Sequence, residues 1–225
     1  MALNPNESLL DIGTANGAFP IRLRNQGHIG RLVGLDFSEG MIELAQSHHA
    51  DVEFLQGNAM ELPCNEHSFD IVTARHMLYH VPDITKALLE ATRVLRPRGR
   101  FLALTNSDGY LADYWAVIEE TLKHNQEFEF FIKEHLTPKY FHSDLVQQIS
   151  SVFSHAELKV IDQYLEFTDS DAPLAYWNSM QTGFEIPIEA WAEATTQLKT
   201  AFSRQVQNKT WRIWKGIAFI SATRA

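Results

Sequence analysis

Over the first hundred residues, short apolar runs alternate with amphipathic stretches, the pattern of buried strands separated by helices. Leu9 to Ile12, Arg31 to Asp36, Val52 to Gln56, Ser68 to Ala74 and Arg100 to Thr105 read as five strands. Residues 18–27 read as a helix on the apolar positions Phe19, Ile21 and Leu23, with Gly27 as its stop. Ser38 caps a second helix carrying Met41, Ile42, Leu44 and Ala45, and Lys86 to Leu95 forms a third, ended by a turn at Arg96-Pro97-Arg98-Gly99. Beyond it, Asn106 to Tyr140 is aromatic and helical, and Tyr140 to Phe153 is another helix. Leu158 to Phe167 alternates as one strand, residues 172–182 and 188–206 are helical, and Trp211 to Arg224 closes the chain as a final strand.

The series predicts an α/β protein. The stretch that organises it is Leu9 to Gly17, LLDIGTANG, where a buried strand breaks into a glycine-bearing turn before a helix. Gly13 and Gly17 permit backbone that a side chain resists, and the helix start offers free N–H groups to a polar ligand. Asp11 stands where a dinucleotide fingerprint has its first glycine. A carboxylate there repels a pyrophosphate and suits a ligand carrying an ammonium group, which argues against a nicotinamide-dependent oxidoreductase.

Asp11-Ile12-Gly13-Thr14-Ala15-Asn16-Gly17 resembles motif I of the class I S-adenosylmethionine-dependent methyltransferases. Three later stretches resemble the same family in order and spacing. They are Asp36 at the end of the second strand, Gly57-Asn58-Ala59-Met60-Glu61-Leu62-Pro63, and Arg75-His76-Met77-Leu78-Tyr79-His80-Val81-Pro82-Asp83 before an LRPRGR turn. The resemblance covers roughly residues 7–107 and is to the ubiquinone- and menaquinone-biosynthesis type of small-molecule methyltransferase. It implies a doubly wound, Rossmann-like, seven-stranded and mostly parallel sheet, ordered 3-2-1-4-5-7-6 with the last strand antiparallel. Residues 1–225 are then one domain, with helical cap elements at about 106–140 and 172–206.

The resemblance also implies a cofactor, S-adenosylmethionine. Its contacts would come from Asp11, Gly13, Thr14, Ala15 and Gly17 in the first loop, and from Asp36, Phe37 and Met41 after the second strand. Asn58, Ala59 and Met60 follow the third strand, and Ala74 and Arg75 end the fourth. Asp36 accepts from the ribose hydroxyls. Phe37 and Met41 lie beside the adenosyl group or pack in the core. Asn58 replaces the family's aspartate, and its amide oxygen either accepts from the adenine amine or serves the turn. Arg75 holds the cofactor carboxylate, an acidic substrate or a surface partner.

His76 and His80, spaced i, i+4, are the candidate catalytic pair if a helical turn puts them on one face; the alternative is a structural role. The stretch also resembles E-M-L-E-H of quinone-biosynthesis O-methyltransferases, whose glutamates and histidine hold a metal. Here His76 and Tyr79 stand in place of the glutamates, so no metal is expected.

Composition narrows the partners. A net charge of −9 argues against a phosphate-backbone binder, and no apolar run approaches the ~20 residues of a membrane span. One cysteine, Cys64, fits a reducing cytoplasm. The expected reaction is methyl transfer to oxygen, nitrogen or carbon of a small molecule, by a protein that forms a homodimer. The alternative is a methyltransferase-fold subunit that binds or assembles without catalysis. The family usually carries helices before motif I that cover the site; here the first strand starts at once, so the aromatic stretch Tyr110 to Tyr140, with Trp177 or Met180, is expected to line the acceptor pocket. Those aromatics otherwise belong to a core or a dimer interface.

Overall fold

A computed structural model describes residues 3–47, 51–132, 142–181, 186–207 and 209–225. The chain divides into two compact units, Met1–Asn106 with Tyr140–Ile161 and Ala218–Ala225, and Ser107–Lys139 with Asp162–Ile217.

The first unit holds β1 (Leu9–Ile12), α1 (Ala18–Asn25), β2 (Leu32–Asp36), α2 (Glu39–Gln46), β3 (Glu53–Gln56) and β4 (Phe69–Arg75). A 3₁₀ turn at Leu78–His80 leads into α3 (Ile84–Val94) and β5 (Leu95–Asn106). The chain returns here as α6 (His142–Val152), β6 (His155–Ile161) and β9 (Ile217–Thr223). The strands form one sheet in the order β3-β2-β1-β4-β5-β9-β6, parallel from β3 to β5 with the closing strand antiparallel, the doubly wound order that the βα series implies.

Period-two alternation fixes the layers. Leu10, Ile12, Val33, Leu35 and Val72 pack on one face with Leu88, Ile149 and Phe153, while Leu9, Leu32 and Ile71 pack on the other with Ile42, Ala45 and Phe54. Full burial of each such side chain stabilises by ~1.5–3 kcal/mol. The helices end on local signals: Ser38 Oγ accepts the Met41 N–H and Asp83 Oδ1 the Lys86 N–H. At the opposite end from the strand C-termini, Asp70 takes the N–H and hydroxyl of Ser8 and both its oxygens meet Arg96.

The second unit holds α4 (Ala112–Leu122), α5 (Gln126–Phe131), β7 (Tyr164–Phe167), α7 (Asp171–Ser179), α8 (Ile188–Val206) and β8 (Trp211–Trp214). β7 and β8 pair antiparallel as a ribbon. Tyr114, Phe128, Trp177, Trp191 and Phe202 form its aromatic core, with Trp177 and Trp191 stacked at 4.1 Å between centroids.

Three expectations are corrected. The single strands expected over 158–167 and 211–224 are each two: β6 and β7, and β8 and β9. Both break at matching places, where Trp214 Nε1 donates to Asp162 Oδ1 (2.8 Å) and the Lys215 N–H to the Gln163 carbonyl (2.7 Å). The turn expected at 96–99 is instead the irregular start of β5, with Arg98 at φ 63 and a register shift between Phe69 and Ile71. The helix expected from Tyr140 is described from His142, and Tyr140 lies outside the described residues.

Candidate functional site

At the carboxyl ends of β1 to β4 lies a cavity of about 520 Å³. This is where open parallel sheets place their ligands, beside the point where strand order reverses between β1 and β4. The wall begins with Ile12, Gly13 and Ala15 after β1 and continues with Leu35, Asp36 and Phe37 at the end of β2. Gly57, Asn58, Ala59 and Met60 follow β3, and His76, Met77, His80, Val81 and Pro82 follow β4.

The first loop is held from outside. Gly13 sits at φ +69, and a Cβ there would meet Met77 Cβ at 2.6 Å. Gly17, at φ +73, lies against the Phe54 ring, 2.5 Å from where its Cβ would be. Both positions therefore need glycine twice over, for conformation and for space. The Thr14 N–H bonds the Leu35 carbonyl (2.9 Å), which ties the loop to β2.

Asp36 is the most organised polar group of the cavity. Its Oδ2 accepts the Ala15 N–H at 2.7 Å and its Oδ1 the Ser38 N–H at 3.0 Å. Each oxygen is thus oriented by one backbone donor and keeps a further lone pair. Next to it Phe37 is 77% exposed, a large apolar ring left facing out at the cavity edge.

Other expected site residues lie elsewhere. Asp11 does not reach the cavity; it is 0% exposed, and Thr73 Oγ1 (2.6 Å) and Arg75 occupy its oxygens. The expectation that Asp11 meets a ligand ammonium therefore fails on burial. Arg75 does not line the cavity either: it forks onto Asp11, with its guanidinium carbon 4.1 Å from the centre of the Phe19 ring. Thr14 is buried with its Oγ1 unpartnered, Ala74 is core, and Gly17 backs onto Phe54. Met41 is partly exposed on α2, outside the cavity lining.

Asn58 lines the cavity, and its Oδ1 accepts the Met60 N–H at 2.9 Å, a turn role that leaves the oxygen one further lone pair. His76 and His80 share the cavity without sharing a helix face, since His76 is at φ 50 and only Leu78–His80 is helical. The aromatics expected to line an acceptor pocket are used otherwise: Tyr114, Phe128 and Trp177 are buried in the second unit's core, with Tyr110, Trp115 and Met180 packed on it. The side chain of Phe131 lies outside the described residues. Sequence reasoning missed Met77, Val81 and Pro82 as lining residues. Their position just past a strand end was the available signal.

Among the described residues, no group of three or more His, Cys, Asp and Glu side chains is arranged to hold a metal ion, and no helix is long and apolar enough to cross a membrane. Burial pushes the Cys64 thiol above its ordinary range.

Residues 10–103 match the family model described as a methyltransferase domain. A demethylmenaquinone methyltransferase of Lactococcus lactis is 38% identical over 128 residues, covering 54% of this chain and 50% of the relative. The chain thus spans about half the length of the curated relatives it matches. The solved structure of the YcgJ protein of Bacillus subtilis has a TM-score of 0.63 at 24% identity, covering 98% of this chain and 93% of that one. A phosphoethanolamine N-methyltransferase of Haemonchus contortus, solved with S-adenosylhomocysteine, has a TM-score of 0.60 at 16% identity, covering 99% and 50%. These structures share the fold.

Proposed function

We propose, on the footing that residues 10–103 are a class I methyltransferase domain, that the chain binds S-adenosylmethionine and transfers its methyl group to a small molecule. The observation that carries this reading is Asp36. A carboxylate held by the Ala15 and Ser38 N–H groups, with a lone pair left on each oxygen, suits the two neighbouring hydroxyls of a ribose. The fit extends outward, since Phe37, Ala59 and Met60 offer apolar surface for a flat base. Gly13 and Ala15 bring backbone close on the other side, and no dinucleotide glycine pattern competes.

When bound, the cofactor supplies an electrophilic methyl group on a sulfonium. The chain's own residues align the acceptor and remove water from it. His76 and His80, the two imidazoles of the cavity, are the groups that take a proton from an acceptor heteroatom, His76 being the more enclosed. Met77, Val81 and Pro82 give the same end of the cavity an apolar lining, which suits an uncharged ring. The relative named a demethylmenaquinone methyltransferase makes a reduced naphthoquinone the first acceptor to try. The single cysteine fits a cytoplasmic setting, and the acidic surface disfavours nucleic acid. We place the enzyme there as a homodimer.

Titration calorimetry with S-adenosylmethionine, S-adenosylhomocysteine and NADH tests the reading. Binding of the first two without the third is expected. Binding of NADH, or of none, overturns it, and binding without turnover on any acceptor favours a non-catalytic subunit.

A further inference from the structure

β6 closes one side of the seven-stranded sheet, and among the described residues it pairs with β9 alone. Its outer edge is a row of backbone N–H and C=O groups of the kind that templates a further strand. No proline interrupts its seven residues, HAELKVI, and none of them is fully buried. Alternation puts Ala156, Leu158 and Val160 on the face where Ala156 packs on the core shared with α6, and Glu157 and Lys159 on the other. Leu158 and Val160 are nonetheless 41% and 38% exposed. On the second face, Phe219 of the neighbouring β9 is exposed as well, opposite in alternation to the core residue Ile220.

We propose that this edge receives a second copy of the chain, the two β6 strands pairing antiparallel in the register centred on Leu158. The homodimer of the reading above is the premise. Two strands related by a two-fold axis perpendicular to the sheet set one residue opposite its own copy. With Leu158 on that axis, Glu157 stands opposite the partner's Lys159, Lys159 opposite the partner's Glu157, and Ala156 opposite the partner's Val160. Opposite charges facing across strands stabilise and like charges destabilise. Moving the axis to Glu157 or to Lys159 sets like charges face to face, so the charges select the Leu158 register. Glu157 already meets the His155 ring at 3.1 Å through Oε1, an exposed contact that leaves its other oxygen to a cross-strand partner. Glu157 and Lys159 also cancel, so this edge is neutral in a chain of net charge −9. Two acidic copies meet there without adding to their mutual repulsion.

Sedimentation equilibrium of the full chain tests this with a charge swap. Wild type should be a dimer and nothing larger, since an isologous contact closes on itself. Glu157→Lys and Lys159→Glu each turn both cross-strand pairs repulsive, and each should raise the dimer dissociation constant about tenfold or more. The double variant Glu157→Lys/Lys159→Glu restores unlike charges in the same register and should return to within about threefold of wild type. Both side chains are exposed, so the variants should fold, and recovery in the double variant shows it directly. A wild-type dimer that neither single substitution weakens, or a double variant that does not recover, overturns the β6 interface while the homodimer stands. A wild type that stays monomeric overturns the homodimer and the interface together, and gives the edge to an extended segment of another protein.

Discussion

Arg75 forks onto the buried carboxylate of Asp11, its Nε–H to Oδ1 at 3.1 Å and its Nη2–H to Oδ2 at 2.9 Å. The pair joins the ends of β1 and β4, the two strands between which the sheet reverses its order. It also neutralises a carboxylate that would otherwise stand alone in the core, directly beneath the glycine loop. The clamp fixes where that loop begins.

Removing the cation should therefore cost more than removing the anion. Arg75→Met leaves the Asp11 charge buried and uncompensated, and should destabilise by about 3 kcal/mol. Asp11→Asn keeps an acceptor for Thr73 and leaves Arg75, a third exposed, to reach water, so the loss should be smaller. Urea denaturation of the two variants checks the order. Equal losses would show that the pair is not charge-coupled.

Asp36→Ala should weaken binding of S-adenosylhomocysteine by ~1–3 kcal/mol, the range for polar partners left unpaired. The Ala15 and Ser38 N–H groups lose their acceptor as well, so the loop itself should loosen. Calorimetry reads the first effect and amide exchange at Ala15 the second. Unchanged affinity would remove Asp36 from the ribose.

Two glycines with similar backbone separate conformation from space. Gly27 is at φ +90 with nothing within 4 Å of a Cβ, whereas Gly17 at φ +73 has the Phe54 ring at 2.5 Å. Gly27→Ala should cost only the left-handed penalty, ~1–2 kcal/mol. Gly17→Ala should add overpacking of ~1–3 kcal/mol to that. Thermal melts of both variants decide, and equal shifts would mean that Phe54 gives way freely.

Most of the first unit was legible because its strands are buried apolar runs of the expected length, and Asp36 because it ends one of them. Asp11 was placed correctly in its strand, yet its chemistry was misread. Its partner lies 64 residues away, set by a register in which Asp11 stands opposite Thr73. Pairing of that kind leaves no local mark. The breaks at 162–163 and 215–216 were hidden because alternation runs through them and the second sheet begins at once. Asn58 shows a third limit: the Met60 N–H gives its oxygen the turn role, and the second lone pair makes that role compatible with the other, so neither composition nor this bond chooses between them.

Acid should loosen the base of the sheet. Burial alone would raise the Asp70 carboxyl, but its bonds from Ser8 and Arg96 outweigh that and hold it below its ordinary value of 3.8. A group depressed in the folded state contributes stability above its unfolded value and loses it as pH falls through the folded one. The contribution should thus be intact at pH 5 and disappear below about 4. Asp70→Asn should flatten this limb of the stability curve; an unaltered limb would assign acid sensitivity to other carboxyls, Glu90 with its Arg93 partner first.

The chemistry at His76 and His80 gives the last prediction. Two imidazoles border the cavity, and no third ligand joins them in a metal-binding group among the described residues. Zinc needs three or four such ligands, and magnesium needs oxygens that this end of the cavity does not supply. Turnover on a reduced naphthoquinone or another accepted substrate should therefore survive exhaustive chelation. His76→Ala should lower kcat by about 10²-fold or more if the imidazole takes the acceptor's proton, while affinity for S-adenosylhomocysteine holds within about twofold. A fall in affinity matching the fall in kcat would give His76 a structural role instead. The φ of 50 at this residue makes the alanine variant a test of conformation as well. His76→Asn, which tolerates the left-handed region, is the control: it should keep the fold and still lose kcat. Loss of turnover on chelation, restored by magnesium or zinc, would show that the two histidines belong to a metal site.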